Sequence, residues 1–260
     1  MGQEPGVAWP RLHAVVDGAG AGPRVVLVHG FTQTAASMAP LAALLRGHGQ
    51  FEVVRPDLPG HGGSGAVRAT MGEAARLLGD AGGPAAYLGY SLGGRVCLRL
   101  AVEAPELVRA LVLIGASPGL EGERERAERR AADERLAVEL ERGGVAPFLD
   151  RWLAGPLFAT LPESAAGYGE RLANTADGLA AALRLLGTGT QPPLWRRLGR
   201  LRMPVLLLAG ALDEKFAVLA SRTASAIGSN ARVGLVPGAG HAAHLERPDL
   251  VANVVRAFLG

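Results

Sequence analysis

The chain has 260 residues, 48% of them apolar and 20% charged, with a formal net charge of +3. That length and apolar content suffice for one large α/β unit or two small ones, burying about 75% of the unfolded surface, and exclude general disorder. The near balance of 27 basic and 24 acidic residues, with no basic run interleaved with aromatics, argues against nucleic acid as a partner, and no apolar stretch approaches the ~20 residues a membrane span needs.

The N-terminus lacks the basic segment and apolar core of a signal peptide, which predicts a cytoplasmic location. Strand patterns fall at 12–17, 24–28, 51–55, 84–88 and 109–114, with helical patterns at 37–47, 69–80 and 92–104 between them. Gly18-Ala19-Gly20-Ala21-Gly22 resembles a phosphate loop only superficially, because it precedes a strand and does not join a strand to a helix. A flexible hairpin turn is the expectation there. From 118 to 200 the texture changes to Ala, Arg, Glu and Leu at helical spacing, and strand–helix alternation resumes from 202. The economical organisation is an α/β core over 1–117 and 201–260, with 118–200 as a helical cap over the strand carboxyl ends.

Gly89-Tyr90-Ser91-Leu92-Gly93 follows the apolar run Ala85-Ala86-Tyr87-Leu88 and precedes a helical stretch, the context of a nucleophile elbow. The turn is so tight that side chains two before and two after the serine would clash, so glycine fits both places. Met203-Pro204-Val205-Leu206-Leu207-Leu208-Ala209-Gly210 reads as a buried strand whose following turn presents Asp213, and Val233-Gly234-Leu235-Val236 leads to His241. Open α/β sheets place their sites just past strand carboxyl ends. Val25-Val26-Leu27-Val28 leads into His29-Gly30-Phe31, so the backbone N–H of Phe31 can pair with that of Leu92 as an oxyanion hole. The chain order Ser91, Asp213, His241 is that of α/β-hydrolases.

Other reactive side chains have plainer roles. Cys97, the only cysteine, falls on the helix after the elbow and reads as a small core residue. His244 lies three residues from His241, a spacing that suits a metal only if further ligands converge; none are evident, so it reads as structural. His29 and His61 sit in turns where they bond backbone, and Ser37 and Ser64 lack the elbow context. No metal or cofactor is expected. Lys215 is the only lysine, and the arginine excess reflects a GC-rich genome, so each arginine is argued by position.

In the charged segment 121–142, Leu136 and Leu140 define an apolar stripe that steps back to Ala132 or Asp133 and then Arg129. Arg129 can snorkel outward or point into a cavity between cap and core to meet an anion. Arg95 starts the elbow helix near the same cavity, Arg171 opens another cap segment, and Trp152 and Phe158 offer an apolar wall.

Through these motifs the chain resembles the α/β-hydrolase superfamily, and within it the 2-succinyl-6-hydroxy-2,4-cyclohexadiene-1-carboxylate synthase family of menaquinone biosynthesis. The resemblance spans about residues 24–259. It rests most specifically on Ala116-Ser117-Pro118-Gly119-Leu120, Arg129-Arg130-Ala131-Ala132-Asp133 and Leu212-Asp213-Glu214-Lys215-Phe216. It implies an α/β-hydrolase fold, a mostly parallel sheet flanked by helices, with a helical cap inserted after the sixth strand. It implies elimination of pyruvate from an enolpyruvyl cyclohexene carboxylate, with Ser91, made basic by His241 and Asp213, as the base. The substrate is then a small molecule with three carboxylates. By the same resemblance Arg95, Arg129 and Arg171 match carboxylate-binding arginines, and Tyr90 and Trp152 match pocket aromatics. Two other readings keep the same triad: an ester, thioester or C–C bond hydrolase, and a non-catalytic ligand receptor. An apolar pocket marks a simple esterase and an arginine-bearing one marks the synthase.

Overall fold

In the computed structural model, residues 10–18, 20, 22–47 and 51–260 are described. Seven strands form one sheet: β1 (Ala14–Asp17), β2 (Arg24–Val28), β3 (Glu52–Pro56), β4 (Ala85–Tyr90), β5 (Val108–Ile114), β6 (Val205–Gly210) and β7 (Ala231–Val236). Their order is β1-β3-β2-β4-β5-β6-β7, with β1 antiparallel to β3 and every other pair parallel. Helices α1 (Ala39–Arg46), α2 (Met71–Gly82) and α3 (Leu92–Glu103) alternate with the first strands. Then α4 (Glu123–Gly143), α5 (Val145–Leu153), α6 (Tyr168–Arg171) and α7 (Ala176–Leu186) follow without a strand, and α8 (Glu214–Ile227), α9 (Ala243–Glu246) and α10 (Pro248–Leu259) end the chain.

The central strands are apolar on both faces because helices cover both. Val26, Tyr87, Leu111 and Leu207 pack with residues of α2 and α3 on one side. Val25, Leu27, Leu88 and Val112 pack with α1 and α10 on the other. A third, separate cluster lies within the helical insertion, where Ala137, Leu140, Phe148, Leu179 and Leu183 are buried together. Cys97 is fully buried in the first of these cores, where desolvation raises its thiol pKa.

Two expectations change. The glycine-rich segment 18–22 makes no hairpin, because β1 pairs with β3 and lies one strand away from β2; Ala19 and Ala21 lie outside the described residues. The strands on either side of the segment flank β3, and the Gly20 N–H donates to the Glu52 carboxylate at 2.7 Å. The helical insertion follows the fifth strand and not the sixth, since only β1 precedes β2 among the described residues. Every regular element between β5 and β6 is helical.

The insertion touches the core at very close range. Gly60, in the loop after β3, has φ +80°, and a Cβ there would stand 2.3 Å from the Gly178 carbonyl oxygen of α7. Such an approach is open only to a residue without a side chain. Gly60→Ala should lower unfolding free energy by more than about 2 kcal/mol, from left-handed strain plus overpacking. Chemical denaturation against wild type measures this, and a loss within error would mean the insertion yields freely at this contact.

Candidate active site

The centre of the site is a backbone crossing. A Cβ on Gly93 would lie 2.3 Å from the Val28 carbonyl oxygen, and one on Gly89 would lie 2.5 Å from the Gly93 carbonyl carbon. The turn from β4 into α3 therefore runs against β2 with no space for side chains. Ser91 absorbs the bend at φ 49°, ψ −107°, a conformation non-glycine residues hold only when the surroundings enforce it. Its N–H donates to the Ile114 carbonyl at 2.8 Å, which ties the bend to β5.

Beyond the neighbouring strands the partners converge. Asp213 caps α8, its Oδ1 accepting the Phe216 N–H at 3.2 Å, while its Oδ2 stands 2.8 Å from His241 Nδ1. With the proton on Nδ1 donated to that carboxylate, His241 Nε2 is left as acceptor, 3.4 Å from Ser91 Oγ. The last distance is long for an O–H···N bond, as is common before a ligand tightens such a site. Glu246 braces the histidine turn by accepting the N–H groups of Gly240 at 2.8 Å and Ala242 at 3.1 Å.

Ser91 and His241 open onto a cavity of about 650 Å³ that Phe31, Leu92, Arg95, Arg129 and Trp152 also line. Leu92 is the first residue of α3, so its N–H has no acceptor within the helix. Arg95 is the most consequential of these. It is held by two uncharged acceptors, the Leu186 carbonyl at 2.8 Å and Gln191 Oε1 at 3.0 Å. Burial first, and then the nearby Arg129, lower its pKa to about 10, with Asp133 opposing; it remains a cation at neutral pH. Arg129 lies against Asp133 at 2.8 Å with 41% of its side chain exposed. Of the two orientations open to it in the sequence, the cavity wall is the one it takes. Trp152 stacks on Phe148 and meets Phe31 edge-on, and its buried indole N–H has no partner among the described residues.

Tyr90 and Arg171 are placed otherwise. Neither is among the residues lining the cavity. Tyr90 is buried behind the histidines, with its ring centroid 5.4 Å from His241 and 4.2 Å from His244. Arg171 is 1% exposed. It donates to the Ala166 carbonyl at 2.8 Å and to Thr32 Oγ1. Thr32 follows Phe31 directly and is held at φ 67°, a costly conformation for a β-branched residue. Asn174 completes the hold, donating to the Thr32 carbonyl at 2.7 Å and accepting the Gly62 N–H at 2.9 Å. Helix packing turns these side chains toward the loop, and spacing alone does not reveal that direction.

Several wall residues carry no role in the sequence reading: Ser117, Trp195, Lys215, Phe216 and Arg222, with Glu121, Glu125 and Glu128 at the exposed rim. The available signal was position, since Lys215 and Phe216 follow Asp213 at once and Trp195 closes the Gln191-Pro192-Pro193 segment.

Comparisons with known proteins place the chain in a family. The alpha/beta hydrolase family profile matches residues 25–254. A Bacillus subtilis (strain 168) protein, provisionally named 2-succinyl-6-hydroxy-2,4-cyclohexadiene-1-carboxylate synthase, is 35% identical over 95% of this chain and 94% of its own. The synthase of that name from Salmonella paratyphi C (strain RKS4594) is 33% identical over 94% of this chain and 99% of its own. Among solved structures, MenH from S. aureus superposes with a TM-score of 0.86 at 30% identity, covering 95% of this chain and 97% of the other. No helix among the described residues is long and apolar enough to cross a membrane.

His29, His61 and His244 lie behind the site. His29 bonds the Gly30 carbonyl through Nδ1 at 2.8 Å and accepts the Leu58 N–H on Nε2 at 3.0 Å. His61 bonds the Pro59 carbonyl at 3.0 Å, and His244 lies 3.4 Å from Gln33 Nε2. Desolvation lowers the pKa of His61 and of His244 from 6.5 to about 3. Both are thus neutral when folded at neutral pH and regain their ordinary basicity on unfolding. Below about pH 6 the unfolded chain binds more protons, so stability falls as pH falls, by about 1.4 kcal/mol per unit for each histidine. Urea midpoints at pH 7 and pH 5 check this. A midpoint that holds or rises on acidification would mean these histidines are not buried as neutral groups.

Proposed function

The chain belongs to the alpha/beta hydrolase family and, within it, to the 2-succinyl-6-hydroxy-2,4-cyclohexadiene-1-carboxylate synthases, and from that premise we infer how its residues perform the elimination. It is a lyase of menaquinone biosynthesis: an enolpyruvyl-bearing cyclohexene carboxylate loses pyruvate and leaves the cyclohexadiene. The observation that supports these residue roles is the union of the Ser91–His241–Asp213 chain with two arginines in one cavity. Fold alone does not select a reaction; a half-buried cation beside the serine selects for an anionic ligand.

Ser91 Oγ takes a ring proton while its own proton passes to His241 Nε2, and Asp213 steadies the resulting imidazolium. The electron pair left on carbon forms the new double bond, and the C–O bond to the enolpyruvyl group breaks. The departing enolpyruvate takes the proton held on His241 Nε2 and tautomerises to pyruvate, which restores the neutral histidine; no water is consumed and no acyl-enzyme forms. The N–H groups of Phe31 and Leu92 hold negative charge as it develops. Arg95 and Arg129 take substrate carboxylates, Trp152 packs the ring, and residues 118–200 act as the cap that closes over it. Arg171 serves indirectly, by holding Thr32 and hence the Phe31 backbone.

Pyruvate release on incubation with the enolpyruvyl substrate tests the reading; no release from folded protein would return it to the hydrolase alternative. Ser91→Ala or His241→Ala should lower turnover by about 10³-fold or more, and the double variant should be scarcely worse, since cooperating groups fail together. Additive losses would argue against a unit.

The arginines should separate by role. Arg95→Ala should weaken the tri-acid by roughly 30- to 5,000-fold, the cost of stranding one partner of a desolvated pair, and Arg129→Ala, whose side chain is more exposed, should weaken it less. A neutral test ester should be far less affected. Arg171→Met should depress both substrates alike, because its effect runs through the backbone at Thr32. Steady-state kinetics on both substrates distinguishes the patterns, and an Arg171 variant selective against the tri-acid would place that side chain on the substrate.

A further inference from the structure

Four cations line the cavity: Arg95, Arg129, Lys215 and Arg222. Three of them are engaged. Arg95 is bonded to Leu186 and Gln191, and Arg129 is paired with Asp133. Arg222 lies over the Trp195 ring, 4.1 Å from its centroid, and bonds Glu121. Lys215 differs, since no hydrogen bond or ion pair engages its ammonium among the described residues. Its nearest partner is the adjoining Phe216 ring, 5.8 Å to the centroid. That ring in turn lies 4.5 Å from the His241 ring. An uncommitted positive charge therefore stands one aromatic ring away from the proton-transfer chain, on the open side of the cavity.

Composition adds an independent point. Lys215 is the only lysine among 27 basic residues. A chain that uses arginine at every other basic position carries a lysine where a compact charge on a flexible stem is of use. A guanidinium is a rigid planar fork, such as the one Arg222 holds over the Trp195 ring; an ammonium keeps three rotatable donors and follows its ligand.

We infer that Lys215 is a specificity-determining residue that binds a substrate carboxylate at the cavity mouth, while Arg95 and Arg129 take those further in. This rests on the tri-acid reading above. The exposed position makes the interaction one of capture and orientation. Its loss should fall on KM, and the salt dependence of KM should weaken with it.

Lys215→Ala should raise KM for the tri-acid about tenfold, with kcat moving far less, and should flatten the rise of KM with salt. A Lys215→Cys variant then allows the charge to be returned. Treatment with 2-bromoethylamine lets the thiolate displace bromide and leaves a side chain ending in an ammonium. Cys97 is buried with a raised thiol pKa and stays unmodified, so mass spectrometry should show one adduct. Alkylation should recover most of the lost KM and the salt slope, a recovery that a purely structural role for Lys215 would not produce. Lys215→Arg should recover only part. If wild type releases pyruvate and Lys215→Ala matches its KM at low and high salt, this inference falls while the synthase reading stands. If wild type releases none, both fall together.

Discussion

The site depends on one backbone contact, the crossing of Gly93 over the carbonyl of Val28. Because α3 can begin only where its first turn slides against β2, the chain must reverse within the space of Ser91, and the serine takes the left-handed strain. The same crossing sets where α3 starts, and so where the Leu92 N–H and the Arg95 side chain stand relative to Ser91 Oγ. It also brings the end of β2, with Phe31 just beyond, alongside the elbow. Strands β6 and β7 then deliver Asp213 and His241 from the far side of the sheet. Four segments distant in sequence meet because parallel strands all end on one side.

Electrostatics distinguishes this cavity from that of a simple esterase. The half-buried Arg95 guanidinium gives up part of its hydration, and its two acceptors are neutral, so its charge stays unpaired. Arg129 is partly neutralised by Asp133, whose second carboxylate oxygen has no partner among the described residues. Two guanidinium charges stand against that single carboxylate, and the net positive charge favours an arriving anion.

Much of this was legible because it is local. The elbow, the strands that precede Asp213 and His241, and the long helical stretch between β5 and β6 are each written in contiguous residues whose periodicity and glycine placement admit few alternatives. What stayed hidden was side-chain direction. Tyr90 sits beside Ser91 in sequence, yet strand alternation sends its ring under His241 and away from the cavity. Arg171 sits on a four-residue helix whose facing is set by packing against Thr32. The pairing of β1 with β3 was equally invisible, because a glycine-rich connection looks the same whether it closes a hairpin or crosses a neighbour. Glu246 went unassigned for a related reason: its partners are backbone N–H groups, which leave no trace in side-chain spacing.

The bonds from Arg171 and Asn174 to Thr32 and Gly62 bear on how far this architecture is modular. The helical segment has its own apolar cluster, which invites treating it as an interchangeable part for redesign. Yet the Thr32 carbonyl finds its donor, and the Gly62 N–H its acceptor, within that segment. A graft from a relative lacking these two side chains would strand buried backbone groups at a cost of about 1–3 kcal/mol each. It would also release Thr32 from its strained geometry next to Phe31. Transplants at this position therefore have to carry the arginine and asparagine with them, or bring a loop redesigned to match.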